Sequence, residues 1–437
     1  MNKPEENSLF QMKPFEEKPD ICVTVPGSKS MTNRALLLAA LSEGQSVLKG
    51  VQFSEDSRVF MEALREIGYS VAVDEDRAKV VIGGRGTKIP KDNVSVYVGS
   101  AGTAARFLTA MLALSGGRYE VTSSEQMKGR PMRPLLEALE QLGVIFEYKE
   151  RPYAFPFAIC GRRNVPCEKV FLNIDESSQF LSALLLAGVL YENGFLIKLT
   201  GKRDAKAYVK ISMKMMREFG CHMEQRTENE YALLPEQSYT AREYQIEPDV
   251  SAACYFYAMA AVNGGTALVR HVHFDSTQGD IRFLYVLEKM GCEVKDEPEG
   301  IRVTGKNDGS LHGVRINMSD FSDQTMTLAA VAVFADSPTE ISGVSHIRRQ
   351  ESDRVHGIVT ELSRLGIRCQ EKEDGISILP GKIEPAVIQT YDDHRMAMAF
   401  AIIVTKIPGI VIENPLCCRK TYEKYFEVLT NLNLSLN

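Results

Sequence analysis

Side chains able to grip and rework a phosphorylated molecule recur at one place in six segments of this chain. The segments are PGSKSMTNR (26–34), GSAGTAAR (99–106), DESSQF (175–180), EPDVSAA (247–253), DFSDQTMT (320–327) and TYDDHRMAM (390–398). Each opens an alanine- and leucine-rich run, so each predicts a helix N-terminus, where unpaired N–H groups and the positive end of the dipole attract anions. Lys29, Arg34, Arg106 and Arg395 fall at or in these first turns, although a cation there opposes the macrodipole by roughly 0.3–1 kcal/mol. An acidic chain, net charge −6, that tolerates this at four places is expected to bind an anionic ligand. Taken singly, each base could equally snorkel or pair with a neighbouring carboxylate.

The elements that must position these residues repeat. The helical runs stop at Gly44, Gly117, Gly194, Gly265, Pro338 and Gly409, spaced 71 to 77 residues apart, and each stop leads into a β-branched stretch. A second set of helices ends at Gly68, Gly143, Gly220, Gly291 and Gly366, where glycine permits a left-handed cap. Each unit therefore reads helix, strand, helix, strand. A period above 70 residues exceeds the usual solenoid repeat of about 20–50 and fits compact α/β domains better.

The sixth unit begins near Tyr391 and has only 47 residues left, so something else must complete it. The N-terminal segment, with its strand candidate Ile21–Val25, can supply the missing piece. The expected architecture is α/β: six similar units, three per domain. Residues 1–28 plus 247–437 form one domain, its last unit completed by the N-terminal segment, and 29–246 form an inserted domain. The chain would cross between them near Pro26-Gly27 and near Tyr244 to Glu247. Two rings of helix ends are expected to face across a cleft that ligand closes.

Composition narrows the class. With 437 residues, 44% hydrophobic and 25% charged, the chain reads as a soluble globular protein without a nucleic-acid partner. No apolar run is long enough to span a bilayer, and the acids and prolines of the first twenty residues do not read as a signal peptide, so no membrane association and a cytoplasmic location are expected. Nine cysteines without a C-x-x-C pair read as reduced thiols. No set of His, Cys and carboxylates has ligand spacing, so no metal is expected. PGSKS lacks the upstream glycine of a nucleotide-binding P-loop, and no G-x-S-x-G accompanies Asp393-His394, which disfavours a hydrolytic triad.

In order, PGSKSMTNRALLLAALSEG, GSAGTAARFLTA, KGRPMRPLLEALEQLG, ESSQFLSALLLAG, SDQTMTLAAVAVFADSPTEISGV, QESDRVHGIVTELSRLGI, TYDDHRMAMAF and CRKTYEKYFEVL run through nearly the whole chain. They resemble the 5-enolpyruvylshikimate-3-phosphate (EPSP) synthases, or 3-phosphoshikimate 1-carboxyvinyltransferases. The resemblance implies a two-domain inverted α/β barrel of six units. It implies transfer of the enolpyruvyl group of phosphoenolpyruvate to the 5-hydroxyl of shikimate 3-phosphate in aromatic amino acid biosynthesis, with no metal or organic cofactor and with a monomer expected.

Carried over by motif, the catalytic residues would be Asp323, Glu351 and Lys29. Phosphoenolpyruvate would be held by Lys29, Gly102, Arg130, Gln179, Arg354, Arg395 and Lys420. Shikimate 3-phosphate would be held by Lys29, Ser30, Arg34, Ser177, Ser178, Gln179, Tyr208, Asp323 and Gln350. Arginine forks suit carboxylate and phosphate bidentately. Two positions depart from the family's pattern: Gln350 replaces a lysine, and Ala205 replaces a serine. Two other readings share the fold, a UDP-N-acetylglucosamine enolpyruvyl transferase, whose cysteine-bearing loop is not recognisable here, and a phosphate-ligand sensor without turnover.

Overall fold

The computed structural model of this protein describes residues 8–201 and 206–436. All six polar segments open helices: Lys29–Ala40, Gly102–Ala113, Gln179–Ala187, Val250–Asn263, Thr325–Ala332 and His394–Val404. These helices are largely buried beyond their first turns, and every residue of Gly102–Ala113 and of Thr325–Ala332 is buried. The second helices, such as Glu55–Ile67 and Arg354–Arg364, carry one apolar stripe and lie nearer the surface. Their stops behave as expected, since Gly68, Gly143, Gly220, Gly291 and Gly366 all have positive φ, between 77° and 107°.

The repeat carries more strand than the helix–strand–helix–strand reading assigned. In the second repeat Asn93–Tyr97 runs parallel to Arg118–Thr122, which pairs antiparallel with Phe157–Cys160, itself antiparallel to Ile145–Tyr148. The order is thus strand, helix, strand, helix and a closing hairpin. The third and fifth repeats build the same four-stranded sheet. The strands that reading left out are those before the first helices, such as Asn93–Tyr97 and Arg315–Asn317, and the inner strands of the closing hairpins, such as Lys79–Arg85 and Gly300–Thr304.

By contact density the chain divides into two units, residues 1–26 with 247–437, and residues 27–246. Gly27 and Ser28 therefore go with the inserted unit. Each unit has its own apolar core. Within each, the three first helices touch one another and the sheets lie around them. In the 27–246 unit the parallel edge of the first sheet comes from its end, where Tyr239–Thr240 and Glu243–Gln245 pair with Ser42–Lys49.

In the other unit the N-terminal segment is used twice. Asp20–Val23 pairs parallel with Thr266–Arg270 and so belongs to the fourth repeat, not the sixth. The sixth is completed by Leu9–Phe10, antiparallel to Val411–Glu413. The Ile21–Val25 run is the better strand former, but sequence pattern marks a strand without marking its partner.

Candidate active site

Two clusters of the residues singled out from sequence emerge, one inside each unit. In the 27–246 unit, Gly27 and Ser28 lead into the helix of Lys29. Gly27 is required there, because a Cβ would meet the carbonyl oxygen of Gly50 at 1.8 Å. Lys29 opens the helix and its Nζ lies 3.1 Å from the Asp56 carboxylate, 17% and 8% exposed respectively. The Ser30 hydroxyl stands 3.3 Å from that of Ser28.

Arg34 and Arg106 lie one turn deeper than the first-turn placement expected, and both are buried. Arg34 donates to Ser212 Oγ at 2.8 Å, the Ser30 carbonyl at 2.8 Å, and Ser182 Oγ and the Tyr208 carbonyl at 3.3 Å each. Among the described residues none of its partners is a carboxylate, and burial pulls its pKa down to about 10. Arg34 thus ties the start of its helix to the helix Lys206–Glu218, which carries half-buried Tyr208. Ala205 lies outside the described residues.

Arg106 gathers a second group. It donates to Gln179 Oε1 at 2.6 Å, Ser177 Oγ at 3.2 Å and the Pro131 carbonyl at 2.9 Å, and lies over the Phe180 ring. Because a guanidinium only donates, Gln179 must turn its carbonyl toward Arg106, which leaves the amide N–H₂ as the end to meet a ligand. Ser177 Oγ accepts the backbone N–H of Gln179 at 3.2 Å, and Ser178 is the buried residue before the helix. Arg130 donates to the Ser100 carbonyl at 3.2 Å and closes over Gly102, where a Cβ would sit 2.9 Å from its Nη2 and 3.0 Å from Arg106 Nη1.

In the other unit Arg354 is the hub. It is 1% exposed and reaches Asp393 with Nε at 2.8 Å and Nη2 at 3.2 Å, Asp323 with Nη1 at 3.2 Å and Glu351 with Nη2 at 2.8 Å. Its Nη1 also donates to Gln350 Oε1. Burial alone would lower its pKa, but Asp393, Glu351 and Asp323 together hold it above the ordinary arginine value. Arg395 bridges to the other oxygen of Asp323 at 2.8 Å. Both carboxylates expected from sequence are therefore brought together on one guanidinium, 19% and 17% exposed.

The segment before the helix His394–Val404 fixes this hub. Asp393 caps the helix, accepting the Arg395 amide at 3.0 Å, and takes the Ser352 hydroxyl at 3.0 Å. Asp392 holds Lys420 Nζ at 2.7 Å, with the Asp392 carbonyl at 2.9 Å. Gln350 spends its amide oxygen on Arg354, and Arg349 beside it is exposed.

Several groups in these clusters escaped sequence reading. Asp280 is buried, accepting from Ser251 and, at 3.0 Å, from Gln324 next to Asp323. Burial first, and then the Asp323 charge, push its carboxyl up to about 6. Asp56, Asp392 and Glu361 likewise work as partners of neighbouring side chains. Of these four acids only Asp392, in DDHR, stands beside a residue the motifs singled out, and nothing in one sequence says which acid is buried. Among the described residues no group of three or more His, Cys, Asp and Glu is placed to hold a metal ion, and no helix is long and apolar enough to cross a membrane.

Comparison with known proteins places this geometry. The family model described as EPSP synthase (3-phosphoshikimate 1-carboxyvinyltransferase) matches residues 20–429. The chain belongs to the EPSP synthase family. It is 42% identical over 407 residues to the 3-phosphoshikimate 1-carboxyvinyltransferase of Nostoc punctiforme, covering 93% of this chain and 95% of that protein. It is 36% identical over 430 residues to 3-phosphoshikimate 1-carboxyvinyltransferase 2 of Halalkalibacterium halodurans, covering 98% and 95%. The fold is that of EPSP synthase from Acinetobacter baumannii, with TM-score 0.79 at 24% identity over 97% of this chain and 98% of that one. The enolpyruvyl transferase NikO of Streptomyces tendae shares it, with TM-score 0.74 at 15% identity over 96% of each chain. The two-domain inverted α/β barrel expected of an EPSP synthase is thus the fold this family member has.

Proposed function

We propose that this chain transfers the enolpyruvyl group of phosphoenolpyruvate to the 5-hydroxyl of shikimate 3-phosphate, releasing phosphate, with Asp323 and Glu351 moving the protons. The chemistry sets the requirements. The hydroxyl oxygen attacks C2 of phosphoenolpyruvate while its proton leaves to a base, and C3 takes a proton from an acid, giving a tetrahedral ketal. Loss of a proton from the new methyl group then expels phosphate as its C–O bond breaks and restores the vinyl ether. Asp323 is the base toward the hydroxyl, and Glu351 delivers and recovers the proton at C3.

The observation that carries this assignment is the double tether of Asp323. One carboxylate oxygen faces Arg354 and the other Arg395, while Glu351 hangs on the same Arg354. Two carboxylates held by one rigid guanidinium keep a fixed separation, which successive proton transfers to neighbouring atoms need. Arg395, Lys420, Lys29 and Arg130 carry the phosphate and carboxylate charge of phosphoenolpyruvate, and Arg354 reaches ligand by exchanging its bond to Gln350 or Asp323. Gln179 offers its amide N–H₂ to an oxygen of substrate, with Gly102 leaving room. Ser30, Ser177, Ser178 and Tyr208 supply neutral donors to shikimate 3-phosphate, with Lys29, and Arg34 holds two of these positions through their backbone carbonyls. Gln350 offers an amide where the family's lysine brings a charge.

Release of inorganic phosphate from phosphoenolpyruvate, with shikimate 3-phosphate present and absent, tests the reading. Phosphate release that depends on shikimate 3-phosphate is expected, with none from UDP-N-acetylglucosamine as acceptor. Release at the same rate without the acceptor, or with the sugar nucleotide in its place, overturns it.

A further inference from the structure

The helix Arg354–Arg364 carries the hub arginine in its first turn and, two turns on, a carboxylate that no proton-transfer role uses. Glu361 is 0% exposed. Its Oε1 accepts the Tyr391 hydroxyl at 2.5 Å and its Oε2 accepts the backbone N–H of Gln389 at 3.0 Å, with Arg364 at 3.7 Å on the surface side. Between them on the same helix face sits Gly357, where a Cβ would lie 3.3 Å from Cε2 of the Tyr391 ring. The missing side chain at 357 lets that ring lie against the helix.

The backbone at and just after Tyr391 gives this contact its consequence. Tyr391 and Asp392 both adopt left-handed backbone, φ 56° and 52°, a conformation that residues with a Cβ rarely keep unless their surroundings impose it. These two residues aim the next carboxylates in opposite tasks: Asp392 onto Lys420, and Asp393 onto Arg354 and the Arg395 amide. Glu361 holds the backbone at Gln389, just before the left-handed pair, and the side chain of its first member. If the pair relaxed to ordinary backbone, Asp392 and Asp393 would swing away from the cations they hold.

We infer that Tyr391 and buried Glu361 form one clamp that sets the positions of Lys420 and Arg354, and so act as positioning residues for phosphoenolpyruvate. This rests on the reading that those cations meet that substrate. In the clamp the carboxylate accepts both bonds and Gly357 supports the ring, so residues 357 and 361 on this helix face serve one purpose with Tyr391.

Steady-state kinetics on the full chain test it with Tyr391→Phe, which removes one hydroxyl from a side chain that is already 36% exposed, and Glu361→Gln, which keeps volume. Each variant is expected to raise KM for phosphoenolpyruvate about tenfold, the equivalent of one lost charge-assisted bond, with KM for shikimate 3-phosphate within about twofold of the parent. The double variant should be no worse than the more affected single one, because both remove the same clamp. A lower Tm with unchanged KM in the folded protein would mean a merely structural contact and overturns the proposal, as do effects that multiply in the double variant. Lys420→Ala separates the two levels. If it raises KM for phosphoenolpyruvate while Tyr391→Phe does not, the clamp is wrong and the cation assignment stands; if Lys420→Ala changes nothing, the cation assignment fails and the clamp with it.

Discussion

Arg354 and Asp393 form an ion pair that solvent does not reach: Nε lies 2.8 Å from Oδ2, with the two side chains 1% and 0% exposed. Taking both charges out of water costs several kcal/mol per ion, and this pair offsets the cost with further bonds. Asp393 also accepts from Ser352 and the Arg395 amide, and Arg354 also reaches Asp323 and Glu351. The pair lies behind the two carboxylates assigned to proton transfer, so its stability and their alignment have one physical origin.

Removing one partner should therefore hurt more than removing both. Arg354→Met leaves Asp393 charged and buried and is expected to lower the unfolding free energy of its unit by about 3–5 kcal/mol. Adding Asp393→Asn, which keeps the helix cap, should return a large part of that loss. Urea denaturation of the two variants checks it, and an equal loss in both would mean that the arginine acts through packing alone.

Much of this architecture is legible in the sequence alone. The six polar segments lie at six helix starts because a helix must satisfy its first N–H groups, and that need writes itself into local sequence. The five glycine stops come from backbone sterics. Pairing is not legible: the Ile21 run and Leu9–Phe10 are both short apolar strands, and their partners lie far along the chain. Nor are the buried acids. Glu361 stands in a helix that also carries exposed polar residues, and in sequence it is one more of them. Lys29 and Arg395, by contrast, stand out because their placement at helix starts runs against the dipole, whereas Arg34 and Arg106 lie a turn deeper.

A methyl group at residue 102 should disturb ligand binding without unfolding the protein. The Cβ would approach Arg130 Nη2 to 2.9 Å and Arg106 Nη1 to 3.0 Å, and both are ends of long side chains that can shift. Gly102→Ala is expected to raise KM for phosphoenolpyruvate by about tenfold through displaced guanidinium donors. The inhibition constant of glyphosate, which the resemblance to EPSP synthases implies would take the phosphoenolpyruvate position, should rise further. Inhibition kinetics and a melting curve check it; unchanged constants would show that Arg130 gives way without consequence.

Asp280 makes stability depend on pH in an unusual direction for a carboxyl. Its folded pKa is raised from 3.8 to about 6, by burial and then by Asp323, against the pull of Arg395 and the bonds from Ser251 and Gln324. A raised carboxyl keeps its proton in the folded state after the unfolded chain has lost it, so its contribution is greatest on the acid side and is lost as pH rises through about 6. Asp280→Asn imitates the protonated form. Its Tm relative to the parent should therefore climb from about pH 4 to about pH 6 and level off above that, and a difference that stays flat from about pH 4 to about pH 6 would show that Asp280 does not titrate there.

The division of labour between cations and carboxylates should appear in kinetic constants. Lys29 and Arg395 hold charge that phosphoenolpyruvate carries before and after reaction, so Lys29→Ala and Arg395→Ala should act chiefly on KM, which reports binding common to ground and transition states. Each also loses a tether, to Asp56 and to Asp323 respectively, so the Arg395 variant should lose some turnover that the Lys29 variant keeps. Glu351→Gln keeps shape and a bond acceptor for Arg354 but cannot pass a proton to C3. Its kcat should fall by about 10²- to 10⁴-fold, the range of one general acid–base group, with KM values near those of the parent. Single-turnover measurements with shikimate 3-phosphate and phosphoenolpyruvate separate the classes: if Glu351→Gln forms product as fast as the parent while Lys29→Ala does not, Glu351 is not the proton carrier and the assignment passes to Asp323 alone.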